Sequence, residues 1–378
     1  MPPAIRILDT KDVWRVTQDE IIRRLLDFIA ADDATESAFN RLALEVFAYQ
    51  FENNSPFRQF CMQRGRTPRT AKTWRDIPAV PINAFKELTL SCCPPEEAAR
   101  VFMTSGTTKA GVKGKSYHPT LAVYDASMIT HFKKRFMPDR DRIDMGILFP
   151  DESAMPNSSL AHYLALAREH FGTGDSRYEI GETGIDFDAL FARLAQAEKT
   201  GEPYALLGAS YSFVPLLDEM KRRNLTFALP VGSRMFDTGG FKGQSRELSL
   251  DDFYNQLSTG FGVPRSRCIN MYGMTELSTQ FYDNGNAVCP SVKSGPHWIR
   301  SRVINPLTGE DVPDGETGVL SHCDLAHFNI VSTILTEDAG VVVDGGFLLL
   351  GRADGEEARG CSMAVEEFLK AADVAATG

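Results

Sequence analysis

The chain has 378 residues, 43% of them hydrophobic and 10% aromatic, and a formal net charge of -10; a globular α/β domain with an appended or split lobe suits that length. The acidic balance argues against nucleic acid or an anionic membrane as main partner, and no apolar run reaches the length that spans a bilayer. The start, Met1-Pro2-Pro3-Ala4-Ile5-Arg6, lacks a signal-peptide core, and seven cysteines without a Cys-x-x-Cys pair fit a reducing cytoplasm better than a disulfide framework or a zinc site.

Residues 17–65 read as helices. Thr17 with Glu20 spells a capping box, and Ile21, Ile22, Leu25, Leu26 and Ile29 repeat on one face. A proline-marked connection follows, Ile77-Pro78-Ala79-Val80-Pro81. Between residues 100 and 272 short apolar runs alternate with amphipathic stretches: 143–149 then 159–171, 204–207 then 214–223, 229–235 then 250–257. Such alternation predicts crossover units and a layered sheet, with a ligand crevice at the carboxyl ends of the strands, where the loops after Met103, Phe236 and Met271 converge. Beyond Trp298 short β-like runs are split by the turns Asn305-Pro306-Leu307-Thr308-Gly309 and Pro313-Asp314-Gly315. A short last helix is expected from Ser362 through Val365, Phe368 and Leu369 to Ala372. The expected organisation is a helical segment (1–75), an α/β nucleotide-binding core (76–298), a β-rich subdomain (299–350), and a hinge with a short C-terminal helix (351–378).

The stretch Phe102-Met103-Thr104-Ser105-Gly106-Thr107-Thr108, followed by Lys109, Gly111, Lys113, Gly114 and Lys115, has the chemistry of a phosphate grip. Glycines let backbone N–H groups crowd an anion, hydroxyls add neutral donors, and lysines offset polyphosphate charge. It is not a Walker loop: Gly114-Lys115-Ser116 closes like one, but Lys109 stands where the opening glycine belongs. Three further glycine-bearing turns match it in kind: Asp237-Thr238-Gly239-Gly240-Phe241-Lys242, Tyr272-Gly273-Met274-Thr275-Glu276, and Thr336-Glu337-Asp338 with Gly351-Arg352-Ala353-Asp354. Gly208-Ala209-Ser210-Tyr211-Ser212 approaches a serine-hydrolase elbow but ends in Ser212 where glycine is required. His118 and His162 are expected to be structural or lining residues, and no spacing suggests a transition-metal site.

In this order and spacing the four motifs resemble the adenylate-forming superfamily of acyl-CoA synthetases, adenylation domains and luciferases. Within it the chain is most similar to the acyl-protein synthetases of bacterial bioluminescence, also called long-chain-fatty-acid–protein ligases. Phe47-Ala48-Tyr49-Gln50, Phe85-Lys86-Glu87, the loop Asp237 through Gly243, and Arg359-Gly360-Cys361-Ser362 carry that likeness. It implies the α/β adenylate-forming N-terminal fold with layered sheets and helices plus a truncated C-terminal lobe, and use of ATP and Mg2+. By the same likeness Thr104, Ser105, Gly106, Thr107, Thr108, Lys113 and Lys115 would hold the ATP phosphates. Gly239 and Gly240 would line the adenine slot opposite the ring of Tyr272, with Gly273 in the adjoining turn and Thr275 on the α-phosphate. Glu276 would hold Mg2+, and Asp338 with Arg352 the ribose hydroxyls.

The superfamily's hinge opens into a lid domain carrying a catalytic lysine. The sequence runs to Gly378 and Lys370 lies too near the hinge, so Lys113, Lys115, Mg2+ or a partner subunit is expected to supply that charge. Cys361, beside Arg359 and at the expected start of the last helix, is set as a thiolate that takes the acyl group. The implied reaction activates a fatty or other carboxylic acid as acyl-AMP, then forms a thioester on Cys361 for an acyl-CoA reductase-type protein partner. Transfer of the adenylate to coenzyme A, or an inactive nucleotide-binding scaffold, are the alternatives. Each residue also has a plainer reading: Tyr272 as a buried aromatic, Glu276 as a helix-start carboxylate, Arg352 as a surface ion-pair partner, and Cys361 as a small apolar residue packed under a helix.

Overall fold

Residues 16–32, 34–104, 112–182, 184–241 and 246–373 are described by the computed structural model. The chain enters through α1 (Gln18–Ala30), α2 (Glu36–Asn53) and α3 (Ser55–Gln63). The expected capping box is present: the Thr17 hydroxyl accepts from the Glu20 N–H at 3.3 Å and the Glu20 carboxylate accepts from the Thr17 N–H at 3.0 Å. Ile21, Leu25 and Ile29 are buried, with Ile22 and Leu26 at the half-buried margin of the same face.

A short strand β1 (Val80–Pro81) leads to a single helical turn α4 (Ala84–Glu87). The antiparallel hairpin β2 (Arg100–Met103) and β3 (Lys115–His118) comes next, then α5 (Ala122–Arg135). Crossover units follow as expected. They comprise β4 (Asp144–Leu148), α6 (Ser159–Phe171), β5 (Arg177–Tyr178), the small hairpin β6 (Ile180–Gly181) and β7 (Gly184–Ile185), α7 (Phe187–Thr200), β8 (Tyr204–Ala209) and α8 (Ser210–Arg222). The series closes with β9 (Arg234–Thr238), α9 (Leu250–Phe261), β10 (Cys268–Tyr272) and β11 (Phe281–Tyr282).

These strands form one sheet in the order β11-β10-β9-β8-β4-β5, parallel except for β11. Helices α5 and α6 cover one face through Phe132 and Tyr163; α7, α8 and α9 cover the other through Leu194, Phe213 and Leu257. Burial on both faces explains why β8 is apolar throughout rather than alternating. The strand expected from residue 229 starts only at Arg234, because Pro230 and the left-handed Gly232 (φ 99) form a turn closed by the Ser233 N–H donating to the Pro230 carbonyl.

The second sheet is built from β12 (Val292–Lys293), β13 (Ile299–Ile304), β14 (Gly318–Asp324), β15 (Thr333–Val343) and β16 (Gly346–Arg352). It is antiparallel in the order β12-β16-β15-β14-β13, with β1 added parallel to β15. One core joins α1, α2 and α3 to this sheet and to Phe368 of the last helix, α10. That helix runs Gly355–Asp373, about two turns longer at its start than expected, since Glu356 and Glu357 suit the electropositive first turn.

Candidate active site

The carboxyl ends of β9 and β10 and the end of β2 open onto one cavity of about 500 to 600 Å³, within the size range of small-molecule sites; its volume is ≈ 580 Å³. Thr104, Lys113, Gly239, Gly240, Gly273 and Thr275 all line it, so three of the motifs read from the sequence meet in space. Phe149, Leu160, Tyr163 and Tyr211 supply an apolar wall.

Each loop is held from beneath. Thr104 and Gly114 pair across the foot of the first: the Gly114 N–H donates to the Thr104 hydroxyl at 3.0 Å and the Thr104 N–H to the Gly114 carbonyl at 3.0 Å. Ser105, Gly106, Thr107 and Thr108 lie outside the described residues, as do Lys242 and Gly243. A Cβ on Gly114 would stand 3.2 Å from the Thr104 methyl and 3.4 Å from both Glu276 Oε1 and the Phe85 Cβ, so the glycine permits a close approach. Ser116 of β3 donates to the Thr275 carbonyl at 2.9 Å, tying the first loop to the third. Lys115, exposed on β3 opposite Met103, is not among the cavity-lining residues.

The second loop rests on buried Asp237, which accepts from Ser210 Oγ at 2.7 Å, Asn270 Nδ2 at 2.9 Å and Tyr254 Oη at 3.0 Å. Burial pushes the Asp237 carboxyl up to about 6 despite these donors. Thr238 Oγ1 donates to the Met271 carbonyl at 3.0 Å, and Gly239 turns left-handed (φ 77), where glycine costs nothing. Ser210 is thus a loop brace at the start of α8, in keeping with rejection of the hydrolase elbow.

The remaining candidates sit beside the cavity. Tyr272 is 8% exposed, its ring packed against Phe281, His322 and Phe347, and it donates to Asp338 Oδ2 at 2.8 Å. Its neighbours Met271 and Gly273, not its own ring, line the cavity wall. Asp338 and Arg352 are register partners across β15 and β16, 3.5 Å apart as an ion pair, and Arg352 also reaches Glu337 at 3.3 Å. Glu276 is buried; burial pushes its carboxyl up to about 7, against its own backbone N–H and then the fields of Lys86 and Arg352. Among the described residues no three carboxylate, histidine or cysteine groups cluster as a metal cage. A single hard carboxylate beside a phosphate loop does fit Mg2+, which commonly binds through one protein carboxylate plus substrate phosphates and water.

Cys361 departs from expectation. It lies inside α10, past the first turn where free N–H groups could stabilise a thiolate, and Arg359 points to solvent. The thiol is 4% exposed, among Ile304, Val319, Leu335 and Ala364, and donates to the Thr336 carbonyl at 3.7 Å. Burial, then the Glu337 carboxylate, pushes it up to about 11, so the thiolate setting read from the sequence is corrected to a neutral, packed thiol. All seven cysteines are free. His118 is buried and held neutral by burial, and His162 is wedged between Glu152 and Asp125 at 2.9 Å each.

Phe149, Leu160, Tyr163 and Tyr211 of the cavity wall are the residues sequence reasoning did not assign to the site.

Solved structures share this fold. It is similar to 2-hydroxyisobutyryl-CoA ligase in complex with 2-HIB-AMP (TM-score 0.60, 15% identity, 89% of this chain and 68% of that one), and to ATP-bound MatB from Rhodopseudomonas palustris (TM-score 0.50, 18% identity, 69% of this chain and 49% of that one). The chain belongs to the acyl-protein synthetase, LuxE, family, whose description matches residues 11–370. Long-chain-fatty-acid–luciferin-component ligases are its curated relatives: that of Vibrio harveyi is 25% identical over 80% of this chain and 79% of the relative, and that of Aliivibrio fischeri 24% identical over 80% and 79%.

Proposed function

We propose that the protein activates a carboxylic acid with an apolar tail, in the manner of a fatty acid, as acyl-AMP at the expense of ATP. The observation that carries this reading is the meeting of Thr104, Lys113, Gly239, Gly240, Gly273 and Thr275 around one cavity that also has an apolar wall. The glycine turns bring backbone N–H groups to the phosphates, Thr275 faces the α-phosphate, and Asp338 with Arg352 takes the ribose. The phenylalanine, leucine and tyrosine wall takes the acyl tail. Mg2+, held by Glu276, would offset charge on the phosphate oxygens. No helix among the described residues is long and apolar enough to cross a membrane; we place the reaction in the cytoplasm, with a reductase-type protein as recipient of the acyl group.

For the second step, Cys361 accepts the acyl group once α10 lifts from β15. The chain turns at left-handed Gly351 (φ 119) and Gly355 (φ 55), on either side of the junction where that motion would occur. The burial of Cys361 also favours a second reading, transfer to the thiol of coenzyme A. Intact-mass spectrometry after incubation with ATP, Mg2+ and a panel of acids separates them. An acyl adduct mapped to Cys361 and absent from Cys361→Ala supports the first. Full acyl-CoA formation by Cys361→Ala supports the second, and the absence of any acid-dependent ATP–pyrophosphate exchange sinks both.

A further inference from the structure

A second cavity, of ≈ 500 Å³, shares no lining residue with the first. Four arginines line it: Arg64 at the end of α3, Arg66 just after it, Arg75 ahead of β1, and Arg302 of β13. In a chain of net charge -10 that convergence is a local exception. Nearby carboxylates do not cancel it. Arg64 Nε pairs with Glu367 at 3.1 Å and Arg66 with Asp76 at 3.3 Å, while Arg75 and Arg302 share Asp311 at 3.0 and 2.5 Å. Four cations thus meet three anions, and Asp76 spends its Oδ2 on the Lys72 and Thr73 N–H groups at 2.9 Å each. Arg64 lies over the ring of Phe60 at 4.8 Å and Arg75 over that of Trp74 at 4.6 Å. Such contacts fix a guanidinium by its face and leave N–H donors at its edge for a ligand. Exposed ion pairs are individually weak, so a ligand offering several anionic oxygens displaces them.

We infer that this second cavity binds a phosphate-bearing ligand, gripped by Arg64, Arg66, Arg75 and Arg302. A volume in the small-molecule range, with guanidinium forks arriving from separate segments, suits a compact polyanion better than a flat acidic surface. Ile304, Leu335 and Ala364 line this cavity and also pack around Cys361, so the ligand rests against the wall that encloses that thiol. Inorganic pyrophosphate and coenzyme A both carry the required chemistry. The inference stands apart from the adenylation reading, because the nucleotide motifs line the other cavity.

The test follows phenylglyoxal modification of the arginines in the full chain, peptide by peptide, by mass spectrometry. Pyrophosphate, coenzyme A, acetate or a polyaspartate peptide is added at constant ionic strength and without Mg2+. Pyrophosphate should slow modification of Arg66 and Arg75 by about threefold or more and leave exposed Arg222 of α8 unchanged, while acetate protects none of them. Arg75→Gln read at Arg66, and Arg66→Gln read at Arg75, should each raise the half-protecting concentration about tenfold or more, as loss of charge-assisted bonds requires. Tighter protection by coenzyme A than by pyrophosphate identifies a phosphorylated thiol as the ligand, and equal protection identifies the free anion. Modification of Arg66 and Arg75 that pyrophosphate leaves unchanged overturns the inference. Equal protection by acetate, which marks charge screening, or stronger protection by polyaspartate, which marks a protein-docking surface, overturns it as well.

Discussion

The proposed nucleotide cradle and the proposed acceptor helix obey the same physics to opposite effect. In the cradle, buried hydrogen bonds at strand ends, Asp237 with Ser210, Tyr254 and Asn270, hold glycine turns open toward a cavity. In α10, packing of Phe368 on Phe60 at 4.7 Å and a pairing of Arg64 Nε with Glu367 at 3.1 Å press the thiol of Cys361 against β15. Burial preorganises the first region and silences the second. On the proposed reading the activated intermediate would form on rigid elements, and the acceptor would stay closed until α10 moves.

The largest effect that would sharpen this contrast comes from filling the cradle. Gly114→Val places a side chain against Thr104, Glu276 and Phe85, and should lower ATP–pyrophosphate exchange by about 10²-fold or more while leaving the alkylation rate of Cys361 unchanged. Equal activity in the variant would show that the loop foot is not part of the site. Next comes the helix. With its thiol pushed up to about 11, native Cys361 should alkylate at pH 8 about 10²-fold more slowly than in the urea-unfolded chain, read peptide by peptide by mass spectrometry. Phe368→Ala, which opens a cavity under α10 at a cost of about 3–5 kcal/mol if the site cannot collapse, should raise the native rate at least tenfold without lowering exchange in proportion. A rate in the folded wild type matching the unfolded chain would dissolve the contrast.

The smallest effect is a pH dependence. Asp237 is raised from an ordinary 3.8 to about 6 by burial, so the folded chain holds its proton more tightly than the unfolded chain. Its favourable contribution is full below about pH 4 and is lost as the pH rises to about 6, by at most about 3 kcal/mol. Melting curves of wild type and Asp237→Asn should therefore converge or cross over that window and run parallel above it; curves parallel throughout would show the carboxylate ionised at all those pH values.

Much of the cradle was legible because it is written locally. The amphipathic run 159–171 became α6 at those bounds, and Gly239, Gly240 and Gly273 of the second and third loops, with Thr104 and Lys113 of the first, fall on one cavity. The packing around the ring of Tyr272 and the thiol of Cys361 was not legible in the sequence, for a common reason. Both residues have the chemistry of a site, and both are turned inward by strands distant in sequence: Tyr272 by Phe281 and Phe347, Cys361 by Thr336 and Leu335.

What the amino-acid order determined unaided is therefore the class of chemistry: hydroxyl- and glycine-rich turns after apolar strands, a hard carboxylate in Glu276, and the family likeness. Only the tertiary structure decided which groups are usable. It set Glu276 Oε1 and the Phe85 Cβ against the loop foot at Gly114, and it sealed Cys361 beneath α10, because exposure and the pKa of a thiol depend on what packs over it and not on its neighbours in the chain.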